Sequence, residues 1–170
     1  MQAVALFRAD FSIGSIGDLS GELLARRGIR LLLADLDNTL VPYGVPLPDE
    51  RARSFRDDLA AHGVQLFILS NNRHEGRPRT FAEALAVPYI GHAGKPKRRS
   101  FLAAMEEQGV RPDETAIVGD QIFTDVLGGN RAGVTTILVR PIRLAGNPGR
   151  YLRYAAEAPF RLLSHGRGGL

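Results

Sequence analysis

Residues 30–41 read Arg-Leu-Leu-Leu-Ala-Asp-Leu-Asp-Asn-Thr-Leu-Val, and this stretch decides the fold class. The run from Arg30 to Ala34 is apolar after its first residue, which is typical of a strand buried on both faces of a parallel sheet. Asp35 and Asp37 follow directly as the strand ends. Because ligands bind at the carboxyl ends of strands in parallel α/β sheets, the two carboxylates indicate a functional site.

On both sides of this stretch, apolar runs alternate with segments of helical periodicity. The sequence predicts further strands at residues 64–69, 87–90, 115–118 and 134–139. It predicts helices after Pro48 up to Gly63, around Phe81 and Leu85, around Phe101 and Met105, and at residues 124–131. Repeated alternation of strand and helix predicts an α/β fold, a Rossmann-like parallel sheet with helices on both faces.

The chain has the length and composition of one globular domain. Its 170 residues are 44% hydrophobic and 24% charged, both ordinary for a soluble protein. We expect one domain over residues 1–170, with an N-terminal segment at 1–29 and a basic C-terminal tail at 141–170. In the tail, residues 140–150 are predicted to form a loop, and residues 151–163 an amphipathic helix interrupted or bent at Pro159.

Several classes of protein are excluded or disfavoured by composition. The absence of cysteine excludes a disulfide framework and a thiolate metal site. No signal peptide and no apolar run of membrane-spanning length is present, so we expect a cytoplasmic protein. The net charge of +4 suggests an acidic partner, but Lys95 and Lys97 are the only lysines among 22 basic residues. This bias towards arginine weakens any inference from net charge to a particular acidic partner. Among acidic partners we expect a phosphorylated substrate and no nucleic acid.

Polar residues follow the other predicted strands as well. In chain order they are Ser70 and Asn71, then Lys95 in a Gly-Lys-Pro loop, then Asp120 and Asp125. Each pattern alone is more often a turn, a helix cap or a solvated loop. Their occurrence together, in order, at four loops of one small sheet favours a site.

These residue types suit phosphoryl transfer. Three carboxylates at one point repel each other unless a cation joins them, and hard oxygen ligands select Mg²⁺. A phosphate can then be neutralised by the metal, by Lys95 and by the Ser70 hydroxyl. Asp35 and Asp37 can face one ligand in different roles. One attacks phosphorus, and the other donates a proton to the leaving oxygen and later takes one from water.

The residues just described resemble the four motifs of the haloacid dehalogenase-like (HAD) superfamily. Residues 35–40 are similar to the first motif, Ser70 to the second, Lys95 to the third and residues 119–125 to the fourth. The resemblance implies a nucleophilic Asp35, with Asp37 as the acid and base of a phosphatase that forms an aspartyl-phosphate.

The resemblance also implies the remaining roles. The implied catalytic residues are Asp35, Asp37, Ser70 and Lys95, and the implied phosphate ligands are Ser70, Asn71 and Lys95. The implied Mg²⁺ site consists of Asp35, Asp37 through its carbonyl, Asp120, and Asp125, which orients the waters of the metal. The intervals from Thr39 to Ser70 and from Ser70 to Lys95 are too short for a cap domain, so we expect an HAD-like core without a cap and a site open to bulky substrates.

A closer resemblance, over almost the full length, is to the YqeG group of bacterial subclass IIIA phosphatases. That group is similar to phosphatidylglycerophosphate phosphatases of mitochondria and plastids. The resemblance suggests phosphatidylglycerophosphate as the substrate, in phospholipid synthesis and at the membrane surface. The tail has a composition suited to anionic lipid, in the basic residues Arg143, Arg150, Arg153 and Arg161 and in the apolar residues Tyr151, Leu152, Phe160, Leu162 and Leu163.

Two other interpretations remain open at this point. A general soluble phosphatase for sugar phosphates or nucleotides would use the same motifs. A receiver-type phosphoacceptor module also combines clustered Asp, Mg²⁺, a hydroxyl and a lysine, but it would not need Asp37. The tail can equally pack on the sheet, with its arginines solvated.

Overall fold

The structure is a computed structural model that describes residues 5–74, 76–142 and 148–164. Its strands are β1 (Phe11–Ile13), β2 (Leu31–Ala34), β3 (Gln65–Leu69), β4 (Tyr89–Ile90), β5 (Thr115–Gly119) and β6 (Thr135–Val139). Its α-helices are α1 (Gly21–Arg26), α2 (Glu50–Ala61), α3 (Gly76–Leu85), α4 (Arg99–Gln108), α5 (Leu127–Ala132) and α6 (Pro148–Ser164). Short 3₁₀ turns lie at Ile16–Asp18 and Pro112–Glu114, and a π-helical turn lies at Ile122–Val126.

The six strands form one parallel sheet in the order β1-β6-β5-β2-β3-β4. β2 lies between β5 and β3, with Leu33 paired to Ile117 on one side and to Phe67 on the other. From β2 the chain adds β3 and β4 on one side and then β5 and β6 on the other, so the direction of strand addition reverses between β2 and β5. The carboxyl ends of β2, β3 and β5 are therefore adjacent, at the place where a parallel sheet binds ligands.

Alternate side chains of each strand enter two separate cores. Leu32 of β2 packs in a cluster with Leu59 of α2 and Phe81 of α3. Leu33 packs in a second cluster with Phe101 and Met105 of α4. Because successive side chains of a strand point to opposite faces, the clusters lie on opposite sides of the sheet. This confirms the predicted parallel sheet with helices on both faces.

The predicted elements occur close to their predicted positions, with three differences. The N-terminal segment contains β1, which pairs with β6 at the edge of the sheet, and α1, neither of which was predicted. The predicted loop at residues 140–150 is wrong for residues 148–150, which belong to α6, while residues 143–147 lie outside the described part of the chain. The helix predicted at residues 124–131 begins earlier, as the π-helical turn, and Pro159 lies inside α6 without ending it.

The spacing between the motifs is filled as expected. The interval from Thr39 to Ser70 holds α2 and β3, and the interval from Ser70 to Lys95 holds α3 and β4. Neither contains a cap domain. No helix among the described residues is long and apolar enough to cross a membrane. The assignment of the whole chain to one domain stays a prediction.

Candidate active site

The turn after β2 presents its two aspartates in different directions. Asp35 continues the strand, and its N–H donates to the Val118 carbonyl of β5 at 3.0 Å. Asn38 then adopts a left-handed conformation with φ of 66°, which Asn tolerates better than most residues. Its Oδ1 atom accepts a hydrogen bond from Tyr43 N at 3.0 Å. This tight turn keeps both Asp35 and Asp37 at the carboxyl edge of the sheet.

Three buried carboxylates meet at this edge. Asp35, Asp120 and Asp125 each offer an oxygen, and these atoms lie within 4.8 Å of one another. Lys95 lies between two of them, with Nζ 2.8 Å from Asp35 Oδ1 and 2.7 Å from Asp125 Oδ1. Three negative charges and one ammonium leave a buried charge of −2. Such a charge is costly without a counter-ion, so the donor set and its charge both fit a divalent cation.

Burial and charge shift the pKa values of Lys95 and Asp125. Burial lowers the pKa of Lys95, but Asp125 and Asp35 outweigh it and raise that pKa above its ordinary value, so the ammonium persists at neutral pH. Burial raises the pKa of Asp125 to about 6, with Lys95 opposing the shift and Asp35 adding to it. A cation at this point would favour the ionised carboxylate.

Asp125 reaches the cluster because of the backbone around it. It lies in the π-helical turn, a feature that often occurs at functional sites. Its Oδ2 atom accepts a hydrogen bond from Gln121 N at 3.2 Å. A Cβ atom at position 119 would collide with the Asp125 carboxylate. Glycine at this position therefore lets the carboxylate lie against the end of β5.

The loop after β3 positions the predicted phosphate-binding groups. The Ser70 hydroxyl accepts a hydrogen bond from Asn72 N at 3.1 Å, so its own proton remains for an anionic oxygen. The Asn71 side chain exchanges two hydrogen bonds of 2.9 Å with the backbone of Lys95. Asn71 was predicted to bind phosphate, which stays a prediction, while its side chain holds the lysine loop. A phosphate contact from Asn71 therefore falls to its backbone N–H.

Asp37 is turned away from the other carboxylates. Its Oδ2 accepts a hydrogen bond from Asn72 Nδ2 at 3.0 Å, and its Oδ1 pairs with the guanidinium of Arg77. Arg77 also donates from Nε and Nη2 to the Val45 carbonyl at 3.1 and 2.8 Å. The Asp37 carboxylate is thus held by Asn72 and Arg77, and its share in a metal site through the carbonyl stays a prediction from the family resemblance.

Arg77 was not predicted as a site residue, although the sequence carried a signal for it. It lies four and eight positions before Phe81 and Leu85, which are both buried, and its own side chain is 14% exposed. Residues spaced by four share one face of a helix. A charged residue on that apolar face indicates a buried partner, here Asp37.

The C-terminal helix packs against the loop that carries Asp120. Tyr154 donates from its hydroxyl to the Asp120 carbonyl at 3.4 Å, and Arg161 contacts the same carbonyl. Arg153 donates to Gln121 Oε1 at 2.8 Å. The buried Glu157 accepts hydrogen bonds from Phe123 N and from Arg161, both at 3.0 Å.

These contacts show that part of the tail packs on the protein, which was one of the two interpretations left open by the sequence. Arg161 pairs with Glu157, Phe160 packs against Phe7 and Phe123, and Arg153 is exposed but donates to Gln121. Arg143 lies outside the described residues, and the side chain of Arg150 is not described. Arg153 and Ala158 are exposed on α6, and the apolar face between them consists of Leu152, Ala155, Ala156, Pro159 and Leu162. We call these five residues the outer stripe; Leu152 and Leu162 are 77% and 78% exposed.

A cleft of about 310 Å³ lies over the site. The predicted site residues Asp35, Asp37, Ser70, Asn71 and Lys95 line it, and further lining residues are Tyr43, Asn72, Arg73, His74, Gln121, Thr124 and Arg153. Small-molecule sites occupy about 300–1,000 Å³. The cleft therefore suits a small phosphorylated group.

Comparison with known proteins places this geometry in a family. The family model for HAD-hydrolase-like proteins matches residues 92–141. The "Probable phosphatase YqeG" of Bacillus subtilis is 35% identical over 158 residues, which cover 93% of this chain and 90% of that protein. The chain belongs to the YqeG family of HAD-like phosphatases. It is therefore an enzyme, which removes the receiver-type module from consideration.

More distant matches agree with this assignment. The "Phosphatidylglycerophosphate phosphatase 1, chloroplastic/mitochondrial" of Arabidopsis thaliana is 25% identical over 145 residues, and the chain spans 42% of its length. A solved structure of the deoxy-D-mannose-octulosonate 8-phosphate phosphatase from Haemophilus influenzae superposes with a TM-score of 0.53 at 17% identity, over 66% of this chain and 69% of that one. This second similarity shows a shared fold.

Proposed function

We propose that the protein is a Mg²⁺-dependent phosphomonoester hydrolase that forms an aspartyl-phosphate on Asp35. The observation that carries the proposal is the buried cluster of Asp35, Asp120 and Asp125, which has a net charge of −2 with Lys95 included. Asp35 and Asp120, with the Asp37 carbonyl, would hold Mg²⁺, and Asp125 would orient its waters. Bound Mg²⁺ would neutralise the charge that gathers on the phosphoryl oxygens.

The residues of the chain would then divide the two steps between them. An Asp35 oxygen attacks phosphorus while the alcohol oxygen leaves, taking a proton from the Asp37 carboxyl. Asp37, now ionised, takes a proton from water, whose oxygen attacks phosphorus and returns Asp35 to its carboxylate. Lys95 and the Ser70 hydroxyl hold the phosphoryl oxygens during both steps. Lys95 suits this role because its contact with Asp35 already places its ammonium 2.8 Å from the attacking carboxylate.

We further propose a lipid phosphate as the substrate, with phosphatidylglycerophosphate as the best candidate. The more distant relative named above acts on that lipid according to its name. The cleft has room for a phosphorylated head group and lacks a cap domain that would have to open. Acyl chains could stay outside the cleft, in the bilayer.

The outer stripe supports contact with a membrane better than the arginines do. α6 directs Glu157 and Arg161 towards the protein and leaves the outer stripe in water, with Arg153 exposed beside the stripe. The same helix contacts the Asp120 loop, so a bilayer against the stripe would lie beside the active site. Apolar side chains of this kind insert into the boundary between head groups and acyl chains.

The proposal is tested by phosphate release from phosphatidylglycerophosphate in mixed micelles and from its deacylated, water-soluble head group. We expect Mg²⁺-dependent turnover that chelator removes and a clear preference for the lipid. Replacing Leu152 and Leu162 by serine should reduce turnover of the lipid and spare that of the soluble compound. Leu102→Ser is the matched control, since Leu102 is also exposed, at 42%, but lies on α4.

A preference for the soluble compound would contradict the lipid substrate and favour a general soluble phosphatase. Full activity in chelator would contradict the metal-dependent mechanism itself.

A further inference from the structure

We propose that Arg153, together with Arg73, forms a subsite for a second anionic group of the substrate. This inference rests on the proposed phosphatase function, and it assigns to that function a substrate class that carries a phosphomonoester and another anion. Both arginines line the cleft over Asp35. Neither is needed for the phosphoryl group, which is served by Lys95, Ser70 and the proposed metal.

Neither of these two arginines is held by a carboxylate of the cleft. The two acidic residues that line it are already paired, Asp35 with Lys95 and Asp37 with Arg77. Neither Arg73 nor Arg153 forms an ion pair with a carboxylate in the described part of the chain. Cations that face a cleft and have no anionic partner among the described residues are suited to an anion of the ligand.

Arg153 is also held in place before any ligand arrives. Its Nη1 atom donates to Gln121 Oε1 at 2.8 Å, and Gln121 follows Asp120 directly. The helix that carries it is fixed one turn later by the buried Glu157. A guanidinium has five N–H donors, and this contact uses one. Since the side chain is already ordered by that contact, binding an anion costs less conformational entropy.

The chemical class of ligand follows from guanidinium chemistry. Arginine binds phosphate and carboxylate oxygens through paired, charge-assisted hydrogen bonds. The second group is therefore a phosphodiester or a carboxylate on the same small molecule as the phosphomonoester. A phosphodiester is the second anion of phosphatidylglycerophosphate, so the subsite would bind the phosphodiester of the lipid head group.

Three soluble substrates separate these cases. Glycerol 3-phosphate has a phosphomonoester alone, 3-phosphoglycerate adds a carboxylate, and deacylated phosphatidylglycerophosphate adds a phosphodiester. For the wild-type protein we expect the highest kcat/KM on the third compound. In Arg153→Gln the preference for it over glycerol 3-phosphate should fall by about tenfold or more through KM, the loss expected for a charge-assisted hydrogen bond.

Two further variants distinguish binding from a structural effect. Arg153→Lys keeps the charge and should retain part of the preference. Arg79→Gln removes the same charge from an exposed position on α3, where the side chain is 66% exposed, and should leave the preference unchanged.

Each alternative outcome has a separate meaning. A preference for 3-phosphoglycerate that Arg153→Gln abolishes would retain the subsite and identify its ligand as a carboxylate. Equal loss on all three substrates, through kcat, would overturn the subsite and leave the phosphatase standing. Absence of phosphate release from every compound would overturn the proposed function and the subsite with it.

Discussion

The active site is a set of buried charges, of which Lys95 and Arg77 compensate only a part. Lys95 has a side chain only 1% exposed and bridges Asp35 and Asp125, while Arg77 bridges Asp37 and the Val45 carbonyl. Removing ions from water costs free energy, and an ion pair offsets this desolvation cost only where close hydrogen bonds join its members. The pairs therefore hold the carboxylate proposed to attack and the carboxylate proposed to transfer protons in fixed positions.

Arg77 is expected to act through Asp37. Arg77→Gln removes the guanidinium that orients the Asp37 carboxylate, so proton transfer to a poor leaving group should suffer most. General acid catalysis contributes about 10²–10⁴-fold, and we expect a loss in kcat of about tenfold or more on an alkyl phosphate. On an aryl phosphate, whose leaving group needs little protonation, the loss should be small.

The control for this variant lies two residues away on the same helix. Arg79 is exposed and pairs with Glu83, so Arg79→Gln should change neither rate. Equal losses on both substrates in Arg77→Gln would mean that Arg77 only supports the fold.

At the scale of elements, α6 illustrates what the sequence could and could not predict. Its amphipathic periodicity predicted a helix, which the structure contains. Periodicity alone does not say which face is buried, so the sequence left open whether the tail binds lipid or packs on the core. The partners of Arg153 and Arg161 are the Gln121 side chain and the Asp120 carbonyl, which lie far away in sequence and become neighbours only after folding.

The central strands were predictable for the opposite reason. β2, β3, β5 and β6 are buried on both faces, so each appears as a continuous apolar run. β1 has only three residues, at the edge of the sheet next to glycine-rich sequence, and gives no such signal. The motif residues were equally visible because each follows a strand. The contacts of α6 could not be predicted because they depend on tertiary packing, whereas for Arg77 the helical spacing indicated a buried position but not its partner.

Glu157 is expected to fix α6 to the rest of the protein. It is fully buried and accepts hydrogen bonds from Phe123 N and Arg161. Glu157→Gln should lower the free energy of unfolding by about 3 kcal/mol, as for other broken buried pairs. It should also weaken Mg²⁺ binding, because Phe123 lies in the turn that carries Asp125. Urea unfolding followed by circular dichroism and a Mg²⁺ titration measure the two effects.

The exposed pair on α3 provides the matched control. Glu83→Gln removes a carboxylate that is 61% exposed, and the expected loss is about 0.5 kcal/mol or less. If the two variants were equally stable, Glu157 would not be the anchor of the helix.

At the scale of the whole molecule, a chain of net charge +4 contains a buried site of net charge −2. We expect Mg²⁺ to raise the melting temperature of the wild-type protein, since a ligand at 100 times its Kd adds about 2.7 kcal/mol to the free energy of unfolding.

Asp120→Asn should raise the melting temperature without metal, because repulsion between the carboxylates falls, and should reduce the Mg²⁺-dependent shift. Asp113→Asn changes a carboxylate that is 71% exposed and should alter neither quantity. A Mg²⁺ shift of the same size in both variants would place the metal elsewhere.

The most direct test of the account is to trap the phosphate on Asp35. In Asp37→Asn, attack on an aryl phosphate should continue while hydrolysis of the intermediate slows, so the aspartyl-phosphate should accumulate. Borohydride reduces an aspartyl-phosphate to homoserine, which peptide mass spectrometry can locate. Phosphoryl transfer to Asp35 predicts homoserine at position 35, only with both Mg²⁺ and substrate present and not in the Asp35→Asn protein. Homoserine at another aspartate, or its absence from a protein that releases phosphate, would contradict it.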